Sequence, residues 1–284
     1  MAPQSIFTLF GRDVHLYGVF IAIGLLCCMV VFFIYTTKTK MPDKVQDYVY
    51  FVAIIAIAVG FLSAKFFQAI YNYVEEISEV GIKNAHFDFY NAGLTVMGGI
   101  VGGVVSFLVI YFTVGHFLFK GKTKGLHKNY IWDIVNVCPL CITVAHGFGR
   151  LGCLMAGCCH GMFLGKEKVF GGIFMHTWDL GSGYFIPVQL YESIFLFVLF
   201  AVLSVLYFKG CKITMPIYLF AYGTWRFIIE FFRHDHRGGF VLNLSPSQWQ
   251  SFLFIFAGIA ILLFFHFTKR KFFQPIEKKN EIKE

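Results

Sequence analysis

Apolar residues along this chain fall in long unbroken runs, not in the alternation of strands or the narrow stripes of soluble helices. A helix crosses the hydrocarbon core of a bilayer with about 20 mostly apolar residues. Seven segments meet that length: 16–36, 48–71, 95–118, 131–152, 187–208, 213–233 and 248–268. The predicted fold is all-α, a polytopic membrane protein with about seven transmembrane helices. One helical domain over 1–268 is expected, followed by 269–284, a basic tail that reads as a snorkelling anchor with a disordered end. The fourth segment is the least apolar. Its Asp133, Asn136, His146 and Arg150 would be costly against lipid and are expected to face a protein interior or a wet cavity. No internal repeat is visible, which argues against an inverted-repeat transporter.

Composition agrees with the runs. Hydrophobic residues make up 57% and charged residues only 14% of the 284, against roughly a quarter charged in soluble domains. The net charge of +8 would suit nucleic acid, but its distribution does not. Alternate loops hold fifteen Lys and Arg on one side of the spans and six on the other. That bias predicts the N-terminus outside and the C-terminus in the cytoplasm; nucleic acid is not an expected partner. The opening residues 1–15 lack the basic start and cleavage site of a signal peptide. In this orientation the Gly-rich ends of spans 3 and 4, and the loop 153–186, face outward.

The chemistry concentrates in "HGFGRLGCLMAGCCHG", residues 146–161, and in "YGTWRFIIEFFRHDHRG", residues 222–238. In a helix, Tyr222, Arg226, Glu230 and Arg233 share one stripe, and Arg226 and Glu230, a turn apart, can pair. Such a pair can lock one helix to another. The second arginine, Arg150, favours a functional reading, since ionisable groups within spans mark sites. A guanidinium matches phosphate oxygens with two donors and keeps its charge when desolvated. Glycines around Arg150, Gly149 and Gly152 among them, let a ligand approach the backbone. A lipid head-group phosphate is the natural anion at that depth. Lys65 is a secondary candidate. Cys138 and Cys141, then Cys153, Cys158, Cys159 and His160, admit three readings: small buried apolar groups, a membrane thiol–disulfide oxidoreductase built on Cys138 and Cys141, or zinc. The adjacent cysteines are not the usual zinc spacing. His234, Asp235 and His236 are either an exposed loop or a contact to metal or head groups.

These stretches resemble the prolipoprotein diacylglyceryl transferase family over nearly the whole chain. "GRLGCLMAGCCHG" is similar to a Gly-Cys…Gly-Cys-Cys variant of the family signature. "LYGVFIAIG", "GLTVMGGIVGG", "PVQLYES" and "YGTWRFIIEFFR" resemble further family motifs, in the same order. The resemblance implies a bacterial plasma-membrane enzyme with its site toward the outer leaflet. It would move the diacylglyceryl group of phosphatidylglycerol to the lipobox cysteine of a pre-lipoprotein, releasing glycerol phosphate, with no metal or cofactor. It implies catalytic roles for Arg150, Arg226, Glu230, Tyr17 and Tyr222. Lipid would be held by Gly98, Gly99, Gly149, Gly152, Gly161, Arg233, Gln189 and Tyr191. Three positions depart from the family: Met97 replaces a His before Gly-Gly, Cys153 the signature Asn, and Cys158 a Glu. A base then comes from His146 or His160, or the substrate thiol ionises beside the arginines. A family member with another acceptor, or one that binds lipid without transfer, stays open as an alternative.

Overall fold

A computed structural model describes residues 5–9, 12–38, 41–82, 84–177, 180–233 and 244–273. Among the described residues seven long helices follow the seven apolar runs: α1 (Leu16–Thr37), α2 (Asp43–Val80), α3 (Val96–Leu118), α4 (Ile131–Ala156), α5 (Val188–Phe208), α6 (Thr214–Ile229) and α7 (Pro246–Phe267). Six are long and apolar enough to cross a membrane, and α6 is the exception. At 16 residues it spans about 24 Å, short of a hydrocarbon core of about 30 Å. The predicted sixth span ran on to 233. Instead a 3-10 turn at Glu230–Phe232 ends the helix, and Arg233 is extended. In the opposite direction, α2 outruns its prediction at both ends, because Glu75, Glu76 and Glu79 continue the helix until Gly81 stops it at a φ of 81°.

The all-α expectation holds for the spans but missed five short strands among the described residues. A hairpin of β1 (Ser5–Leu9) and β2 (Arg12–His15) precedes α1. Between α4 and α5, β3 (Phe163–Gly165), β4 (Ile173–Thr177) and β5 (Gly181–Phe185) form an antiparallel sheet in the order β3-β5-β4. Met175 and Phe185 on this sheet bury against Leu154 at the end of α4.

The chain forms two compact units, Met1–Lys40 with Trp132–Glu284, and Met41–Ile131. In the second, α2 and α3 pack along small residues. A Cβ on Gly98 would stand 2.6 Å from the Phe67 Cβ, so the "GLTVMGG" glycines serve helix contact here. Tyr48 donates its hydroxyl to the Ile110 carbonyl at 2.8 Å, tying α2 to α3.

In the first unit polar groups tie the spans together where lipid offers no hydrogen bonds. The Asn136 amide on α4 donates to the Cys211 carbonyl at 2.8 Å, and its oxygen accepts from the Thr214 N–H at 3.0 Å. Ser193 on α5 donates to the Gly147 carbonyl at 2.9 Å. Tyr207 reaches the Tyr35 carbonyl of α1 at 3.1 Å. Asp133 meets Lys212 at 2.9 Å. Thus Asp133 and Asn136 face protein, as expected of polar groups in a span.

Candidate active site

A helix with one polar face can hold charge in a membrane only if a neighbour supplies the opposite charge. On α5 the buried residues Val188, Gln189, Glu192, Ser193 and Leu196 form one helical face, which turns Glu192 inward. Its carboxylate is fully buried and lies 2.9 Å from Arg150 Nε on α4. The other oxygen, Oε1, accepts the Tyr222 hydroxyl of α6 at 3.0 Å. His146, one turn before Arg150, places Nε2 3.8 Å from the same oxygen, with its ring edge against Tyr222 at 5.2 Å. One carboxylate therefore gathers groups from two other helices, and its burial is sustained by the guanidinium opposite.

A second cluster lies at the end of α6. Arg226 Nη2 is 2.9 Å from Glu230 Oε2 and donates to Ser247 Oγ on α7 at 2.7 Å. Glu230 Oε1 accepts from Ser245 Oγ at 2.9 Å, and Arg233 Nε stands 3.9 Å from Oε2. Ser245 also caps α7: its hydroxyl accepts the Gln248 N–H while the Gln248 side chain accepts its own N–H. This reciprocal cap fixes the start of α7, and with it Ser247. Glu192 also interacts electrostatically with Arg226 and Arg233, so the clusters share one field. Among the described residues the guanidiniums of Arg150, Arg226 and Arg233 stand against the carboxylates of Glu192 and Glu230. Arg226 Nη1 is buried and has no hydrogen-bond partner among the described residues. A buried donor left so costs about 1–3 kcal/mol. An anion would satisfy that donor.

The profile of the prolipoprotein diacylglyceryl transferase family matches residues 4–264. The chain belongs to that family. It is 30% identical to the phosphatidylglycerol–prolipoprotein diacylglyceryl transferase of Clostridium tetani, over 93% of this chain and 98% of that protein. The second such transferase of Clostridium perfringens is 29% identical over 89% and 91% of the two chains. The corresponding Clostridioides difficile enzyme is 29% identical over 81% and 82%.

In this family member the residues expected at the site divide. Arg150, Arg226, Glu230, Tyr222, Arg233 and His146 come together. Tyr17, half-exposed on α1, packs its ring on α4, where a Cβ on Gly152 would meet it at 3.2 Å. It lies within electrostatic range of Arg150. Gly149 has open space beside it, with nothing within 4 Å of a Cβ built there. Gln189 donates to the Cys158 carbonyl at 2.6 Å and so positions the signature loop.

Other residues serve packing. Gly161 sits between β-segments, where a Cβ would stand 2.6 Å from Val188 Cγ2 and 2.7 Å from the Phe232 carbonyl oxygen. Its contact is protein, not an approaching lipid. Tyr191 points away and donates to the Gly171 carbonyl at 3.4 Å; its neighbour Glu192 is the residue that enters the cluster. His160 is buried under Phe185, with Nδ1 3.0 Å from the Gly161 carbonyl oxygen. Gly98, Gly99, Lys65 and the backbone of Met97 belong to the other unit, where Lys65 lies over the Phe89 ring at 5.5 Å. His234, Asp235 and His236 lie outside the described residues. Glu192, Ser245 and Ser247 were missed. Glu192 was within reach: "PVQLYES" holds it, and the spacing from Gln189 puts both on one face.

Proposed function

We propose that this protein transfers the diacylglyceryl group of phosphatidylglycerol to the lipobox cysteine of a pre-lipoprotein, at the outer face of a bacterial plasma membrane. The observation that carries this reading is the buried Nη1 of Arg226, which has no hydrogen-bond partner among the described residues and shares a field with Arg150 and Glu192. Phosphatidylglycerol brings one phosphodiester charge to such a site.

In the reaction the acceptor sulfur attacks the glyceryl carbon that bears the phosphate ester. A C–S bond forms, the C–O bond breaks, and glycerol phosphate leaves with the electron pair. Charge then develops on the phosphate, and fixed guanidiniums in a water-poor site stabilise it most. Arg150 and Arg226 supply that stabilisation, while Glu192 and Glu230 hold them without rearrangement during the step. Tyr222 fixes Glu192, and Tyr17 lines the α1 side beside Arg150. His146 is the acceptor for the thiol proton, because it stands within the Arg150–Glu192 cluster and His160 does not.

The test uses purified protein in detergent with labelled phosphatidylglycerol and a lipobox peptide. Label is expected on the peptide, as a thioether, and not on a peptide whose cysteine is replaced by serine. Label on neither peptide, with phosphatidylglycerol still bound, would leave a lipid-binding protein and sink the transferase reading.

A further inference from the structure

The turn that follows α4 carries three thiols whose proximity the helix alone would not produce. Gly157 and Cys159 both adopt left-handed backbone, at φ 67° and φ 61°. For a cysteine this conformation is uncommon and marks local constraint. The Cys158 N–H closes back onto the Cys153 carbonyl at 3.2 Å, and Gln189 clamps the Cys158 carbonyl. As a result the sulfurs of Cys153, Cys158 and Cys159 all lie within 4.8 Å of one another. All three are half-buried. They interact electrostatically with Tyr17, and Cys153 and Cys159 do so with Arg150.

Zinc–thiolate bonds are about 2.3 Å, which sets the sulfurs of a tetrahedral site roughly 3.8 Å apart. The cluster needs to close by about one ångström at most to reach that spacing. Catalytic zinc sites keep three protein ligands and leave the fourth position for water or substrate. Two adjacent cysteines are unusual in sequence patterns for zinc; the paired left-handed residues here are what turn both sulfurs the same way.

We propose that Cys153, Cys158 and Cys159 bind one Zn2+ whose fourth position takes the thiol of the acceptor cysteine. The proposal rests on the transferase reading for the identity of that acceptor, and on the cluster alone for the metal. Each protein thiol gives up its proton on binding the ion. The acceptor thiol coordinates as a thiolate, its proton passing to His146, since a thiol bound to zinc is deprotonated outright. The sulfur then attacks the glyceryl carbon, the carbon–oxygen bond to phosphate breaks, and the neutral thioether leaves the metal. No electron is gained or lost overall. The ion supplies the activation that Met97 cannot. It also places the nucleophile beside Arg150, where the leaving phosphate is held.

The experiment uses the full-length protein, purified under reducing conditions and stripped of metal. Zn2+ is added and bound metal is measured after desalting. Co2+ replaces it for absorption spectra. About one zinc per chain is expected, with the intense thiolate-to-cobalt absorption of several sulfur ligands. Cys153→Ser, Cys158→Ser and Cys159→Ser should each weaken binding at least tenfold, whereas Cys138→Ser should not. Each variant is first checked for native elution and phosphatidylglycerol binding, and the native cobalt spectrum stands whether or not a variant folds. A lipobox peptide should shift the visible cobalt bands, and its Cys→Ser form should not. Absence of stoichiometric zinc, or binding indifferent to all three replacements, overturns the site. A metal that binds but ignores the peptide overturns the acceptor role. Transfer at full rate by metal-free protein refutes the metal's part and leaves the transferase standing. Metal and peptide binding without transfer does the reverse.

Discussion

Replacing Glu192 by Gln tests the organisation of the site with little change of shape. The amide keeps the volume and an oxygen for the Tyr222 hydroxyl, now 3.0 Å away, but removes the charge facing Arg150. That pair is 2.9 Å apart with side chains 12% and 0% exposed. Breaking a buried pair by neutralising one partner costs about 3–5 kcal/mol. The residual exposure of Arg150 favours the lower end, about 3 kcal/mol of stability, and a guanidinium left free to shift by about an ångström costs roughly a hundredfold in rate. The assay is the rate of labelled diacylglyceryl transfer to a lipobox peptide at saturating peptide, with thermal midpoints measured in parallel. Glu192→Gln should slow transfer by roughly that factor. Because Glu192 acts through Arg150, adding it to Arg150→Met should slow transfer by less than about threefold more. A Glu192→Gln rate within about threefold of the native rate, or full additivity with Arg150→Met, would refute the positioning role.

Other substitutions separate parts of the account. Arg226→Lys keeps the charge but loses the fork that presents Nη1, and transfer should fall about tenfold to a hundredfold with weaker phosphatidylglycerol binding in a lipid-binding assay. Gly161→Ala forces a Cβ against Val188 and the Phe232 carbonyl, and thermal denaturation should show a loss of about 1–3 kcal/mol. The doubly substituted Cys138→Ser, Cys141→Ser protein should keep transfer within about threefold; its loss, with Arg150→Ala still active, would favour the thiol–disulfide reading. Lys212→Ala removes a pair whose partners are 29% and 28% exposed, so stability should fall by no more than about 1 kcal/mol in the same denaturation assay.

Long apolar runs were legible because a bilayer demands them, and five of the seven became helices within a few residues of their predicted ends. Two exceptions have local causes. Glutamates past the lipid boundary still favour helix, so α2 overshoots. The end of α6 tightens at Glu230, so its charges turn toward α7 instead of continuing a span. The strands of β3 to β5 escaped notice because they are three to five residues long, β3 and β5 with glycine in them, too short for periodicity to register.

The Arg226–Glu230 pair was readable from a spacing of four. Arg150 was readable as a charge in a span, but its partner was not named. Glu192 sits one position after Tyr191, and only the buried face shared with Gln189 tells which of the two turns inward. Ser245 carries a local signal, a Ser-x-x-Gln capping box before an apolar run, whereas Ser247 carries none, since its role depends on where α7 starts against α6. The cysteine turn was the deepest miss. Sequence spacing argued against a shared site for Cys158 and Cys159, while two left-handed residues bring their sulfurs to Cys153.

The most direct test of the central claim asks which bond of phosphatidylglycerol breaks. Purified protein is given lipid labelled in the head-group glycerol and a lipobox peptide, and the water-soluble product is identified and counted against thioether formed. The account expects glycerol phosphate released one for one with lipidated peptide, and both falling together by about tenfold to a hundredfold in Arg226→Lys. Free glycerol in its place, or bound lipid with no soluble product from the native protein, would contradict it.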